Sequence, residues 1–170
     1  MNRNSIAALS VFLTLAAPVV ALESDRDQPI HIEADSVTID DQQQISRYRG
    51  NVTLRQGTLR ASADEITLYT SSRGADRIVL VGKPATFRQR PEGKESDAEG
   101  SANRIEYDTD REVVLFSGDA RFALKKEEFA GPRIEYDAKN DRVRATGSED
   151  GGDRVRIVIQ PKTRSAGEKP

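Results

Sequence analysis

The chain predicts an all-β protein built as one long antiparallel sheet folded over on itself. Three observations carry this. Short runs alternate apolar and polar residues with a period of two, the pattern of strands that bury one face. A glycine interrupts such runs four times, at Gly50, Gly82, Gly118 and Gly147. No helical periodicity of useful length follows the first 21 residues.

Those first residues form their own segment. Met1 to Ser5 carries one charge, Arg3, and Ile6 to Ala17 is an apolar run of 12 residues. Val19, Val20 and Ala21 then offer the small side chains a signal peptidase accepts. Residues 1–21 read as a secretory signal peptide, its apolar run too short to cross a bilayer. An uncleaved anchor is the rival reading. The expected mature chain begins at Leu22 and keeps 149 of the 170 residues. It has no cysteine, hence no disulfide and no thiolate metal site. Without Arg3, 25 lysines and arginines face 28 acids, a net charge that gives no reason to expect a nucleic-acid partner. Arginine outnumbers lysine 19 to 7. Arginine pairs well with phosphate and carboxylate, although solvated faces and codon bias are the simpler account of the excess.

Two short patterns alternate along the mature chain. The first is ADSVTI at 34–39, ADEITL at 63–68, ANRIEY at 102–107 and GPRIEY at 131–136. Val37, Ile66, Ile105 and Ile134 occupy one position, and Ile39, Leu68, Tyr107 and Tyr136 the position two further on. Polar Thr38, Thr67, Glu106 and Glu135 separate them. The second pattern centres on the glycines, which follow the leading small residue by 16, 19, 16 and 16 positions. Val114 and Phe116 precede Gly118 with the same spacing by which Ser46 and Tyr48 precede Gly50. Val52 and Leu54 alternate after one break, and Ala120, Phe122 and Leu124 after another. Beyond Gly82 the phase shifts at Pro84, which signals a bulge or an edge. The repeating unit is thus strand, turn, strand, glycine break, strand. Glycine inside a strand marks a bulge or bend, and a following Asn or Asp tolerates the left-handed backbone such bends use. Four matched bends curl the sheet one way and gather its apolar side chains on the concave face.

DDQQQ, SSRGAD, DTDRE and AKNDR mark turns, residues 91–100 an exposed polar loop, and 161–170 a disordered tail. Domain bounds follow: a signal peptide at 1–21, one β domain at 22–160, then the tail. At the two ends, Ile30 and Ile32 alternate around His31, and Val155, Ile157 and Ile159 around Arg156 and Val158. As outer strands, these would leave backbone donors and acceptors unpaired. The C-terminal edge of one molecule would then pair with the N-terminal edge of the next, a heterologous contact that builds open filaments. Alternatively, Arg154 and Arg156 protect a monomer's edge.

Several of these stretches resemble a known family. DQPIHIEAD at 27–35, GNVTLRQGT at 50–58, GKPATF at 82–87 and VVLFSGDA at 113–120 are similar to the OstA-like family, the periplasmic bridge component of the Lpt lipopolysaccharide-transport system. The similarity runs over roughly residues 27–160. It implies a bent antiparallel β-jellyroll of about sixteen strands, open along one side. It implies a periplasmic protein, non-enzymatic and without cofactor, whose apolar groove holds the acyl chains of lipopolysaccharide (lipid A). Copies would stack head to tail between an inner-membrane lipopolysaccharide transporter complex and an outer-membrane translocon. The long polar insertion at 91–100 departs from the family pattern.

The residues expected to line the groove are Ile30, Ile32, Val37, Ile39, Val52, Leu54, Ile66, Leu68, Phe87, Ile105, Tyr107, Val114, Phe116, Phe122, Leu124, Ile134 and Tyr136. For each single position, ordinary core is the simpler reading. The expected assembly edges are Ile30, His31 and Ile32 at one end, and Val155, Arg156, Ile157, Val158 and Ile159 at the other. Each acyl methylene taken out of water is worth about 0.8 kcal/mol, so a shielded path lowers the barrier to crossing an aqueous compartment.

Catalysis finds little support. His31 is the only histidine, placed in a strand with its ring away from the apolar face. Asp35, Asp64 and Asn103 recur where a strand begins, where turn formation is role enough. DTD at 108–110 and DD at 40–41 lack the remaining ligands of a calcium loop, and KKEE at 125–128 reads as an exposed turn. No metal site is expected. Two other readings stand beside the lipid bridge. One is a periplasmic scaffold or chaperone that binds outer-membrane protein segments by strand addition. The other is a carbohydrate-active β-solenoid enzyme.

Overall fold

The computed structural model describes residues 24–148 and 151–161; the predicted signal peptide and residues 162–170 of the predicted tail lie outside this range. A single turn of 3-10 helix at Asp25–Asp27 precedes ten antiparallel strands. They are β1 (His31–Glu33), β2 (Ser36–Asp40), β3 (Ile45–Gln56), β4 (Leu59–Ser71), β5 (Gly74–Gln89), β6 (Ala98–Asp108), β7 (Val113–Leu124), β8 (Glu127–Asp137), β9 (Arg142–Thr146) and β10 (Arg156–Ile159). One sheet runs β1-β3-β4-β5-β6-β7-β8-β10, with β2 alongside β1 on β3 and β9 alongside β10 on β8.

The six long strands β3 to β8 each shift register near the middle, and β4 and β5 shift a second time, between Tyr69 and Thr70. The sheet therefore has two halves hinged along a line. One half holds β2, the first part of β3 and β9; the other holds β1, the last part of β3 and β10. The ten continuous strands correct the expectation of about sixteen. Each long strand passes unbroken in sequence through its bend, so two predicted strands are one.

The bends form where the glycine pattern places them, by more than one device. Gly50 and Asn51 both take positive φ, 81° and 47°, and so do Gly118 and Asp119, at 76° and 49°. A glycine followed by Asn or Asp meets that demand at low cost. Gly82 sits in a wider bulge, between the pairs Val81 to Arg104 and Ala85 to Ala102, with a cis Lys83–Pro84 bond. Gly147 instead ends β9. The neighbouring strand takes part too. The Asp35 carboxylate lies against Gly50 and accepts from Asn51 Nδ2 at 3.1 Å, and Asn103 Nδ2 donates to Asp119 at 3.3 Å across Gly118. Asp64 and Asn103 thus stand inside β4 and β6 at the bend, which corrects their assignment to turns. The small-residue motif and the glycine motif are two sides of one fold line.

Folding along that line brings the apolar faces together. Val52, Ile66, Ala85, Ile105, Phe116 and Ile134 are fully enclosed. Phe116 presses onto Gly100, where a β-carbon would stand 2.4 Å from its ring. The predicted loop at 91–100 is shorter than expected: β6 already begins at Ala98, and Pro91 and Ala98 are buried. KKEE is likewise turn only at Lys125 and Lys126, since Glu127 opens β8.

Candidate functional site: the folded interior and its two edges

Aromatic rings hold the two halves together. Phe87 contacts Tyr107 and Phe116 edge-on, with centroids 5.6 and 6.1 Å apart. Phe116 lies 5.5 Å from Phe122, which in turn lies 4.9 Å from Tyr136 and 6.3 Å from Phe129. Rings from β5, β6, β7 and β8 so form one chain across the fold, each pair adding about 0.5–1.5 kcal/mol beyond area burial.

The structure brings together thirteen of the predicted groove residues: Val52, Leu54, Ile66, Leu68, Phe87, Ile105, Tyr107, Val114, Phe116, Phe122, Leu124, Ile134 and Tyr136 are all buried in one cluster. Ile30 and Ile32 pack against its rim. Val37 and Ile39 stand apart, 53% and 61% exposed. Register explains them: they pair with Tyr48 and Ser46 on the inner face, but β2 is an edge strand with nothing beyond it. Sequence reasoning omitted Leu59, Ile78 and Leu80, which are as deeply buried. Ile78 and Leu80 precede Gly82 with the repeat spacing, so the signal was present.

One interior group is out of keeping with its neighbours. The Tyr136 hydroxyl is buried and makes no hydrogen bond among the described residues. Burial, with Asp141 and Asp137 nearby, pushes its pKa up to about 12. Burial raises Tyr107 as well, opposed by a hydrogen bond with Gln89.

Opposite the fold line, the strand ends meet and are pinned by charge. Asp110 pairs with Arg26 and, at 2.7 Å, with Arg73. Asp141 receives Lys94 and Lys125, each at 3.3 Å. Burial alone would raise the Asp141 pKa, but the two lysines outweigh it and hold the carboxyl low. Asp25 accepts from the Thr58 amide at 2.6 Å and from Gln89 Nε2 at 2.9 Å, anchoring the helical turn across the seam. Asp97 binds Arg88 and Arg90, which lower its pKa.

The open ends of the fold are the two sheet edges. Of the large hydrophobic residues exposed anywhere in the described chain, Val37, Ile39, Ile157, Val158 and Ile159 lie on edge strands β2 and β10, and only Val81 lies elsewhere. Ile157 pairs with Phe129 on the inner face, while Arg156 and Val158 point outward. His31 is exposed and pairs with Arg55. Val155 precedes β10 and reaches Gly131. Among the described residues no group of three or more potential metal ligands occurs, and no helix is long and apolar enough to cross a membrane.

An antiparallel sheet folded into two apposed halves, apolar within, charged without and unpaired at both edges, defines the class: an open β-jellyroll. Comparison with known proteins gives the family. The profile described as "LptA/(LptD N-terminal domain) LPS transport protein" matches residues 31–142, and the chain belongs to that family. It is 35% identical over 165 residues to the lipopolysaccharide export system protein LptH of Pseudomonas aeruginosa, covering 94% of this chain and 91% of that one. It is 32% identical over 163 residues to the lipopolysaccharide export system protein LptA of Escherichia coli, covering 95% and 86%. The crystal structure of LptH, described as the periplasmic component of the lipopolysaccharide transport device of P. aeruginosa, superposes with a TM-score of 0.73 at 30% identity over 82% of this chain and all of that one.

Proposed function

We propose that this protein is a periplasmic, non-enzymatic carrier of lipopolysaccharide, which shields acyl chains between its two half-sheets and bridges the membranes by head-to-tail stacking. The observation that carries the reading is the placement of exposed apolar residues at the two sheet edges, continuous with a predominantly apolar interior. A lone carrier would gain by making those edges polar. In a stack, β10 of one copy lies beside β1 of the next and β9 beside β2. Each half is eight strands across, an even number, so antiparallel alternation continues into the next copy. The interior is filled by side chains, so acyl chains enter as the halves part about the fold line. Ring-to-ring contact is exchanged for ring-to-acyl contact at little net cost, which favours passage over tight retention. The partners at the ends of such a stack are an inner-membrane transporter complex and an outer-membrane translocon.

Photocrosslinking in cells tests this. A photoreactive residue at Phe116, Phe122 or Ile39 should yield lipopolysaccharide adducts, and at Thr38 or Glu106 none. A folded, exported protein with no adduct at any inward site would sink the carrier reading and favour a scaffold that binds protein segments by strand addition.

A further inference from the structure

A large cavity lies not inside the fold but on the outer face of the half that holds β1 and β10. It is a groove of about 760 Å³ crossing β3 to β8 and reaching β10, within the size range of ligand sites. Two outward rows of side chains form it. Thr53, Ser62, Thr86 and Ser101 are matched across neighbouring strands and make a floor of hydroxyls, with Ser62 and Thr86 hydrogen-bonded at 2.6 Å. Arg55, Arg60 and Arg88 are matched in the same way along the adjoining row. Arg121 and Arg156 close the far end.

The charge is lopsided for an acidic protein. Five arginines line the groove against two carboxylates, Glu99 and Glu128. Glu99 is taken up by Arg88 at 3.2 Å, and Arg60 donates to the Gly57 and Leu59 carbonyls. Arg55, Arg121 and Arg156 have no carboxylate partner among the described residues. Guanidinium forks above a hydroxyl floor match a ligand that is both anionic and rich in hydroxyls.

We propose that this outer groove binds phosphorylated saccharide. It rests on the carrier reading in one respect: the natural source is then the sugar-phosphate portion of the same lipid whose acyl chains are held inside. The groove runs across the strands, from β10 towards β1. It therefore continues from copy to copy in a head-to-tail stack, parallel to the apolar interior.

The test is calorimetric titration of the full secreted chain with lipopolysaccharide stripped of its acyl chains. Two further probes are the same oligosaccharide after phosphatase treatment, and inorganic phosphate. The exposed, unpaired positions allow an Arg55→Gln/Arg121→Gln variant that keeps its fold. The phosphorylated oligosaccharide should bind the wild type, and the variant should bind it about tenfold more weakly, as the loss of two exposed charge-assisted contacts predicts. Equal binding of the phosphatase-treated sugar, equal affinity for inorganic phosphate, or unchanged affinity in the variant each overturns the proposal. Crosslinking of intact lipid at Phe116 separates the two readings. If adducts persist while the oligosaccharide does not bind, only the groove fails. If adducts vanish while the oligosaccharide binds, only the carrier reading fails.

Discussion

Tyr136→Phe should make this protein more stable, and more so as the solution becomes alkaline. The hydroxyl is buried without a hydrogen-bond partner among the described residues. An unsatisfied buried polar group costs about 1–3 kcal/mol, while phenylalanine keeps the ring that packs 4.9 Å from Phe122. Near neutral pH the substitution should gain about 1 kcal/mol, or roughly 2–4 °C in Tm for a chain of this size. The alkaline effect has a definite sign. Burial raises the folded-state pKa from 10.0 to about 12, so the fold favours the neutral phenol. That preference is fully present below pH 10 and is lost as pH climbs through the folded value, because the unfolded chain ionises first. Each unit is worth about 1.4 kcal/mol, so the wild type should lose about 2–3 kcal/mol from this group over the interval, and the variant nothing from position 136. Urea denaturation of both proteins across the alkaline range reads the difference, with phenolate absorbance following the ionisation itself. A variant no more stable than wild type at neutral pH, with the same alkaline slope, would refute the reasoning and mean that the hydroxyl has a partner.

Three further outcomes are expected. Gly118→Ala should cost about 1–3 kcal/mol in urea denaturation, because φ is 76° and the new β-carbon would stand 3.0 Å from Asn103 Nδ2. Ile39→Asp and Ile157→Asp should each leave the monomer's stability within about 0.5 kcal/mol, since both sites are exposed, yet abolish concentration-dependent assembly in sedimentation; an unchanged oligomer would remove the edges from the interface. Asp141→Asn should cost no more than about 1 kcal/mol, a partly exposed pair of contacts, and should flatten the loss of stability on acidification. Its folded pKa lies below 3.8, so its contribution is present above that value and lost as pH falls through the folded one; an unaltered acid profile would mean the lysines do not hold it.

The fold was legible wherever it depends on local pattern. Alternation located the strands, and glycine followed by Asn or Asp located the bends of β3 and β7, because both follow from backbone geometry. Strand count was not legible. A bend and a turn use the same residue types, and only pairing shows that β4 passes through Asp64 without reversing. The interior residues were readable from period two, but the exposure of Val37 and Ile39 was not, since it depends on there being no strand beyond β2. The outer groove was hidden for a similar reason. Arg55, Arg60 and Arg88 are scattered in sequence and become a row only through register. The arginine excess was visible, but its address was not.

The ladder described above also has a mechanical meaning. In the proposed stack, hydrogen bonds between strands would point along the column, so a pull between its two ends would load them head-on. Strands of eleven residues or more would share that load inside each molecule, whereas β1 and β10, with three and four residues, would stand at the joints. Under tension the joints would yield first and the folded units would survive. A column built this way parts cleanly between its members and can be reassembled from intact pieces.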